Sequence, residues 1–352
     1  MAKSDPHNHA AHELTRRGFL EHVGRGTVAA GMAGLLAGGS PHAAAGERPA
    51  GRVNHRDLGK TGLKVSEVGF GGHSWAYDRV PDGKGGFRKI TLDEAVEMIR
   101  AALDMGVNFF DSCTPLDECR VPGEALKRLK KRDQVIISVR PSHKMKGIPQ
   151  DKDEIYKWTD ERLRLWQTDH IDLLLLSNEA HVTPKSGYWD MTYSIEACDQ
   201  LKKQGKIRFT GFGSHFTPQW FFEAFEKFGK SFDVCSMPYN VRHRVAEQVM
   251  PEAKKVGLGV VTIKPLARGS LLRRRDPGGT DGGLARDLIA FVLENPHVDV
   301  CLVGVHTLAQ MQEDFSASWT KLSPDARRRI ERSTASTPCE EYPWLEQGWR
   351  YA

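Results

Sequence analysis

The stretch IDLLLLS, Ile171 to Ser177, decides the fold. Its apolar side chains follow one another without polar alternation, which predicts a strand buried on both faces. Working outward, further apolar runs recur at VSEVGFGG (65–72), VNFFDS (107–112), VIISV (135–139), FTGFG (209–213), DVCSMPYN (233–240), GVVTIKPLA (259–267) and VCLVGV (300–305). Helix-type segments lie between them: LDEAVEMIRAALDMG, EIYKWTDERLRLWQ, SIEACDQLKKQGK, QWFFEAFEKFG, VAEQVMPEAKKVG and LARDLIAFVLENP. In the first of these, apolar residues at 92, 95, 96, 99, 102, 103 and 105 form one stripe, and Gly106 stops it. About eight strands with intervening helices over roughly 250 residues predict a closed (β/α)₈ TIM barrel. An open doubly wound sheet is the runner-up. GFGGHSW follows the first strand, but it lacks the GxGxxG spacing and no helix pattern follows at once. Ahead of that strand, RDLGKTGLKVS reads as a hairpin turning at Thr61-Gly62, suited to plug the barrel bottom.

With 39% hydrophobic and 27% charged residues the composition is that of an ordinary globular protein. The net charge of +5 is spread along the chain, and the longest basic run is Arg273 to Arg275, which argues against a nucleic-acid groove. The cysteines at 113, 119, 198, 235, 301 and 339 show no metal-type spacing and read as small buried apolar residues. A bridge between Cys113 and Cys119 is open in an oxidising compartment.

The N-terminus carries paired arginines, Arg16 and Arg17, then a Gly/Ala-rich apolar segment from Thr27 to Gly39, ending near Ala43-Ala44-Ala45. That order resembles a twin-arginine export signal over residues 1–45, which makes the twin-arginine translocase a partner and the destination periplasmic or extracellular. The apolar segment is too short to anchor the chain in a bilayer. The barrel is expected over 46–332. A tail over 333–352, with Trp344, Trp349 and Tyr351, gains by wrapping over it. The oligomeric state is left open.

In GVNFFDSCTPLDECRVPGEAL, Gly106 to Leu126, a strand ends on Asp111 and a helix is expected about a dozen residues later. Together with HRDLGKTGLKVSEVGFGG, DHIDLLLLS, GKIRFTGFGS, DVCSMPYN, IKPLARGSL and the segment from Gly304 to Asp314, it resembles the aldo/keto reductase family. The segments recur in family order and span nearly all of residues 55 to 318. The resemblance implies NADP (or NAD) lying across the strand C-terminal ends, and hydride exchange with a small-molecule carbonyl substrate. It implies an adenine end at Gly304, Gln310 and Glu313, with Asp314 where the family has Asn. These three polar side chains would share one helix face. The turn Lys264-Pro-Leu266-Ala-Arg268-Gly269-Ser270 fits a pyrophosphate clamp. Ser214 falls at the nicotinamide–ribose end, Tyr239 offers a ring near the nicotinamide, and Arg268 or His306 can meet a 2′-phosphate.

The family's catalytic side is an Asp, a Tyr five residues later that donates the proton, a Lys and a His. Asp111 is kept. Leu116 stands in the Tyr position, Arg140 in the Lys position and Ser177 in the His position. Leucine has no proton to give, and arginine is not interchangeable with lysine. Loss of a general acid typically costs on the order of 10²–10⁴ in rate. Asp111 and Arg140 are therefore expected to survive as an ion pair. His143, three residues past Arg140, is the first substitute acid to consider, with His73, Cys113, Asp117, Lys144 and His215 as other polar groups at strand ends. No metal is expected. The expected function is an oxidoreductase with altered acid–base chemistry, acting on a carbonyl or sugar. The alternatives are a non-catalytic dinucleotide- or carbohydrate-binding barrel, or a lyase or isomerase using the barrel mouth.

Overall fold

The computed structural model describes residues 51–113, 116–140, 152–178, 192–214, 218–272 and 283–335. The chain enters as an antiparallel hairpin, β1 (His55–Asp57) and β2 (Lys64–Ser66), and β3 (Val68–Phe70) then starts the barrel. A one-turn helix α1 (His73–Ala76), a small hairpin of β4 (Val80–Pro81) and β5 (Phe87–Arg88), and helix α2 (Leu92–Asp104) lead to β6 (Phe109–Ser112). Strand and helix then alternate: α3 (Asp117–Leu129), β7 (Ile136–Val139), α4 (Lys152–Trp166), β8 (Ile171–Asn178), α5 (Thr192–Lys203) and β9 (Ile207–Ser214). The pattern continues through α6 (Pro218–Phe228), β10 (Val234–Pro238), α7 (Ala246–Lys255), β11 (Gly259–Ile263), α8 (Leu284–Leu293) and β12 (Val300–Val303), and α9 (Leu308–Phe315) and α10 (Pro324–Thr334) follow.

Strands β3 and β6 to β12 pair in parallel in chain order, and β12 returns to β3, closing an eight-stranded barrel. This is the (β/α)₈ barrel expected from the apolar runs. Strand β8 shows why its sequence lacks alternation. Leu173 and Leu175 fill the barrel interior with Phe109, Val234, Val261 and Val300, while Leu174 and Leu176 join the layer under the helices. All four leucines are fully buried.

The hairpin closes the bottom. Leu58 and Val65 belong to the interior cluster and are fully buried. Arg56 ties the hairpin to the far end of the chain: Nη2 donates to the Leu293 carbonyl at 2.7 Å, Nη1 donates to the Val298 carbonyl, and Nε meets Glu67 Oε2 at 2.7 Å. A guanidinium at the C-terminus of α8 satisfies carbonyls that lack helical partners and complements the helix dipole. Glu67, itself buried, also accepts from Asn54 Nδ2 at 3.0 Å and Ser318 Oγ at 2.8 Å. The connection spans residues 58–63 between the last paired residues Asp57 and Lys64, so it is longer than a tight turn at Thr61-Gly62.

Other local expectations are also revised. Helix α3 begins at Asp117, only six positions after Asp111. Helix α1 follows β3 directly, where no helix was expected. The export segment, His143, Lys144, His215 and the aromatic tail over 336–352 lie outside the described residues. Among the described residues no helix is long and apolar enough to cross a membrane.

Candidate active site

A polar layer sits above the apolar interior at the strand C-terminal ends. Strands β6 and β7 are in register, with Asp111 beside Ser138, and side chains of alternate residues face inward. After Phe109 and Ile136 in the interior, the next inward positions are therefore Asp111 and Ser138, and then Arg140. Ser138 Oγ donates to Asp111 Oδ1 at 2.7 Å, and Arg140 Nε lies 3.1 Å from Asp111 Oδ2 and 3.3 Å from Oδ1. Across the barrel, Arg140 Nη2 donates to Ser236 Oγ on β10 at 3.0 Å. Gly213 on β9 leaves the space: a Cβ there would stand 2.9 Å from the Ser236 carbonyl and 3.6 Å from Arg140 Nη1. Asp111 and Arg140 are each 4% exposed. The pair expected from the sequence is thus present, desolvated and hydrogen-bonded. Ser138, Ser236 and Gly213 were not singled out from the sequence. Ser138 was within reach, being two residues before Arg140 on the same strand. Ser236 meets Arg140 only through barrel closure.

Ser177 lies on β8 beside Gly213 of β9, and Ser214 beside Asn178, so the backbone brings both expected serines to the same end of neighbouring strands. Leu116 precedes α3 and is 39% exposed, an apolar side chain facing water at the loop.

The dinucleotide-type features divide. After β11, Lys264, Ala267, Arg268 and Gly269 all adopt positive φ, at 59°, 47°, 54° and 96°. Three of the four are not glycine, and each such conformation costs about 1–2 kcal/mol. The turn is internally braced: Gly269 N–H donates to the Leu266 carbonyl at 2.8 Å and Ser270 Oγ to the Ala267 carbonyl at 2.8 Å. Leu266 and Leu271 are buried beneath it, while Arg268 and Gly269 are exposed. Successive residues of this kind form a concave backbone that receives anions. After β12, Gly304 is exposed, and the His306 N–H donates to Gln310 Oε1 at 3.1 Å. Thr307 caps α9 through the Gln310 N–H at 3.2 Å.

Two expectations need correction. Tyr239 does not present its ring to the barrel mouth. It is 3% exposed in the layer between strands and helices, with its ring 6.0 Å from Phe291 and its hydroxyl donating to Glu247 Oε1 at 2.8 Å. Burial pushes its hydroxyl up to about 12, and the Glu247 carboxylate adds to the shift. Nor do Gln310, Glu313 and Asp314 form one open polar face. Helix α9 packs against α2 and α8, leaving Gln310 at 5% exposure and Asp314 with none. Glu313 alone of the three is half-buried. Its neighbours serve the scaffold, as Gln310 does by holding the 306 backbone.

The Cys113 backbone N–H donates to Glu118 Oε2 at 2.5 Å, which folds the opening loop back onto the first turn of α3. Cys113 and Cys119 are both free thiols. Burial pushes the Cys119 thiol up to about 11. Among the described residues no group of three or more His, Cys, Asp or Glu is placed to hold a metal ion.

Comparison with known proteins agrees with this architecture. The chain is 27% identical over 295 residues to the L-galactose dehydrogenase of Arabidopsis thaliana, covering 76% of this chain and 88% of that protein. It is 24% identical over 313 residues to a probable voltage-gated potassium channel subunit beta of the same plant, covering 82% and 90%. Among solved structures, the holo form of an aldo-keto reductase from Bacillus halodurans superposes with a TM-score of 0.60 at 23% identity, covering 83% of this chain and all of that one. The sequence model of the aldo/keto reductase family matches residues 67–287, more than half of the chain. With a closed parallel barrel, a polar layer at its strand ends and that match, the chain belongs to the aldo/keto reductase family.

Proposed function

We propose that this protein is a nicotinamide-dinucleotide-dependent oxidoreductase that interconverts a carbonyl and an alcohol on a small polar substrate, a sugar or related polyol, through acid–base groups other than the family's usual ones. The observation that carries the reading is the turn after β11. Four residues held at positive φ, two of them exposed as Arg268 and Gly269, form a strained concavity that an ordinary connection has no reason to keep. A dinucleotide pyrophosphate fits it, with Lys264 and Arg268 supplying charge and Ser270 a hydroxyl. Gly304, exposed after β12, leaves room for close approach to the backbone, and His306 and Glu313 flank the adenine end. Ser214 closes β9 on the nicotinamide side. When bound, the nicotinamide supplies or accepts hydride, and the remaining work falls to the protein. Asp111 and Arg140 hold a fixed charge pair under the site, and a guanidinium is not a proton donor. Among similar proteins, the L-galactose dehydrogenase acts on a sugar by its name, which supports the substrate class.

The test is titration of the purified protein with NADPH and with NADH, followed by nucleotide fluorescence, and then turnover on L-galactose and on 4-nitrobenzaldehyde. Binding at micromolar nucleotide with turnover of either substrate is the expected result. Absence of binding to both nucleotides refutes the reading.

A second reading rests on the enclosure of Asp111 by Ser138 and Arg140: a barrel that binds dinucleotide without turnover. Nucleotide binding with no turnover across a wide panel of aldehydes and sugars selects it. We further propose that residues 1–45 direct export by the twin-arginine route. Replacing Arg16 and Arg17 with Lys is expected to retain the protein in the cytoplasm in a fractionation assay, and unchanged export would refute the leader.

A further inference from the structure

The loops after β10 and β11 are tied together by one buried amide. Strand pairing ends with Pro238 beside Ile263, and the Tyr239 N–H donates to the Ile263 carbonyl at 3.1 Å. The ladder therefore delivers the next residue, Asn240, opposite Lys264, the first residue of the left-handed turn. Asn240 is 1% exposed. Its Nδ2 donates to the Lys264 carbonyl at 2.9 Å, across 24 positions of chain. Its Oδ1 accepts the backbone N–H groups of Arg242 and His243, each at 2.9 Å. The backbones of Asn240 and His243 also bond both ways. The His243 N–H donates to the Asn240 carbonyl at 3.0 Å, and the Asn240 N–H to the His243 carbonyl at 3.2 Å. An amide presents acceptor and donor on separate atoms, as this junction requires. An ionised aspartate would present only acceptors to the Lys264 carbonyl.

We propose that Asn240 is the positioning residue of the anion-receiving turn after β11, holding it in its binding shape before any nucleotide arrives. The inference rests on the dinucleotide reading of that turn and deepens it. Positive φ at Lys264, Ala267, Arg268 and Gly269 persists only where the surroundings over-determine it. The bonds inside the turn travel with it. They run from the Ala267 N–H to the Lys264 carbonyl at 3.0 Å, from the Gly269 N–H to the Leu266 carbonyl at 2.8 Å, and from Ser270 Oγ to the Ala267 carbonyl at 2.8 Å. The Asn240 bond does not travel, because the other contacts of that amide belong to the loop after β10. The Lys264 carbonyl thus accepts once from its own turn and once from the neighbouring loop, which fills both of its lone pairs. That fixes the peptide plane from which the left-handed run proceeds. A turn set in place during folding spares binding the cost of ordering it, and the pyrophosphate meets a formed concavity. At 1% exposure Asn240 acts through Lys264 and not by touching the nucleotide.

Three substitutions in the full-length protein test the proposal. Asn240→Ala removes the tie. Asn240→Asp keeps the two acceptor bonds and loses only the one to Lys264, so it serves where the alanine variant does not fold. Ala267→Gly lets residue 267 hold its φ of 47° without strain. The first readout is amide hydrogen exchange over residues 264–272 without nucleotide. Exchange there is expected to be on the order of tenfold faster in both Asn240 variants, with the amides of β8 unchanged, and to slow again when Ala267→Gly is added. The second is titration with NADPH and with NADH, followed by nucleotide fluorescence. Asn240→Ala is expected to weaken both by on the order of tenfold, and Ala267→Gly in the same chain to restore part of the loss. A general loss of stability would not be repaired by a glycine. Unchanged exchange over 264–272, or affinities within twofold of the parent, overturns the role of Asn240 and leaves the dinucleotide reading standing. A parent protein that binds neither NADPH nor NADH overturns that reading and this role with it, whatever the exchange shows.

Discussion

Replacing Arg140 with Met removes the guanidinium that contacts Asp111 at 3.1 and 3.3 Å and leaves a carboxylate of which 4% is exposed. At that depth water recovers little of the lost solvation, and breaking a buried pair from one side costs about 3–5 kcal/mol. Removing both charges, as Asp111→Leu with Arg140→Met, spares both desolvation penalties. The double variant is expected to be within about 2 kcal/mol of the parent, and it has room to be more stable. With Asp111→Leu costing as much from the other side, the coupling read from the cycle is then at least about 4 kcal/mol. Equilibrium urea unfolding at pH 7 on the four proteins measures it, with equal m-values confirming that the folded and unfolded states compare. Arg128 and Asp93 are an internal control: their 2.8 Å pair is 54% and 92% exposed, and Asp93→Asn is expected to leave the unfolding midpoint unchanged. If Arg140→Met costs less than about 1 kcal/mol, or if the double variant simply sums the singles, the buried pair is not what holds this layer together.

Burial, with the nearby Lys264 charge adding, pushes His243 down from 6.5 to about 4. The unfolded chain then binds a proton that the folded one refuses between those values, so stability is full above about pH 6.5 and falls by on the order of 3 kcal/mol as pH drops to about 4. Urea midpoints across this window are expected to show that slope and His243→Gln to flatten it; an unchanged slope contradicts the assignment. Iodoacetamide at pH 8 is expected to label Cys113 and spare Cys119, Cys198, Cys235 and Cys301, whose thiols burial pushes up, as peptide mass spectrometry would read. A Cys113–Cys119 disulfide in that digest would contradict the free thiols seen here. NADPH at a hundred times its Kd is expected to stabilise the fold by about 2.7 kcal/mol, and Arg268→Ala to weaken NADPH binding more than NADH binding if this side chain meets the 2′-phosphate. Equal losses for both nucleotides would remove Arg268 from that role. Gly59→Ala, at φ +51° with the Gly259 backbone in the path of its Cβ, is expected to lower the melting temperature markedly in calorimetry, and no change would contradict that contact.

The barrel was legible in the sequence because its strands are buried on both sides and its helices on one. Residues 171–176 show the first pattern without interruption, and 92–104 the second; the Thr91 and Glu94 capping box that starts α2 emerged only in the structure. Helix α3 was expected, but its early start at Asp117 was not legible, and the reason is local. Pro122 and Gly123 sit mid-helix, where both usually signal a loop. Gly123 is there because its neighbours leave no room: a Cβ would collide with the backbone of Leu165 and Trp166 at the end of α4. The Asp111–Arg140 pair could be inferred from family positions and strand alternation. Its third partner, Ser236, is 96 residues from Arg140, a separation no periodicity reports. Tyr239 misled because a tyrosine after a barrel strand suits either face, and the partner that draws it outward, Glu247, lies on the following helix.

The contacts of Arg56 at the barrel floor have a kinetic consequence. They join residues 237 and 242 positions apart, and Asn54 reaches Ser318 across 264. Contacts of such separation raise the contact order and slow folding, because the loop must be closed before the contact rewards it. During synthesis the hairpin emerges with no Leu293 or Val298 carbonyl to bind, and Leu58 has no finished interior to fill. Every strand of the barrel must exist before the floor can seat. The first described residues to be made are therefore among the last to be locked.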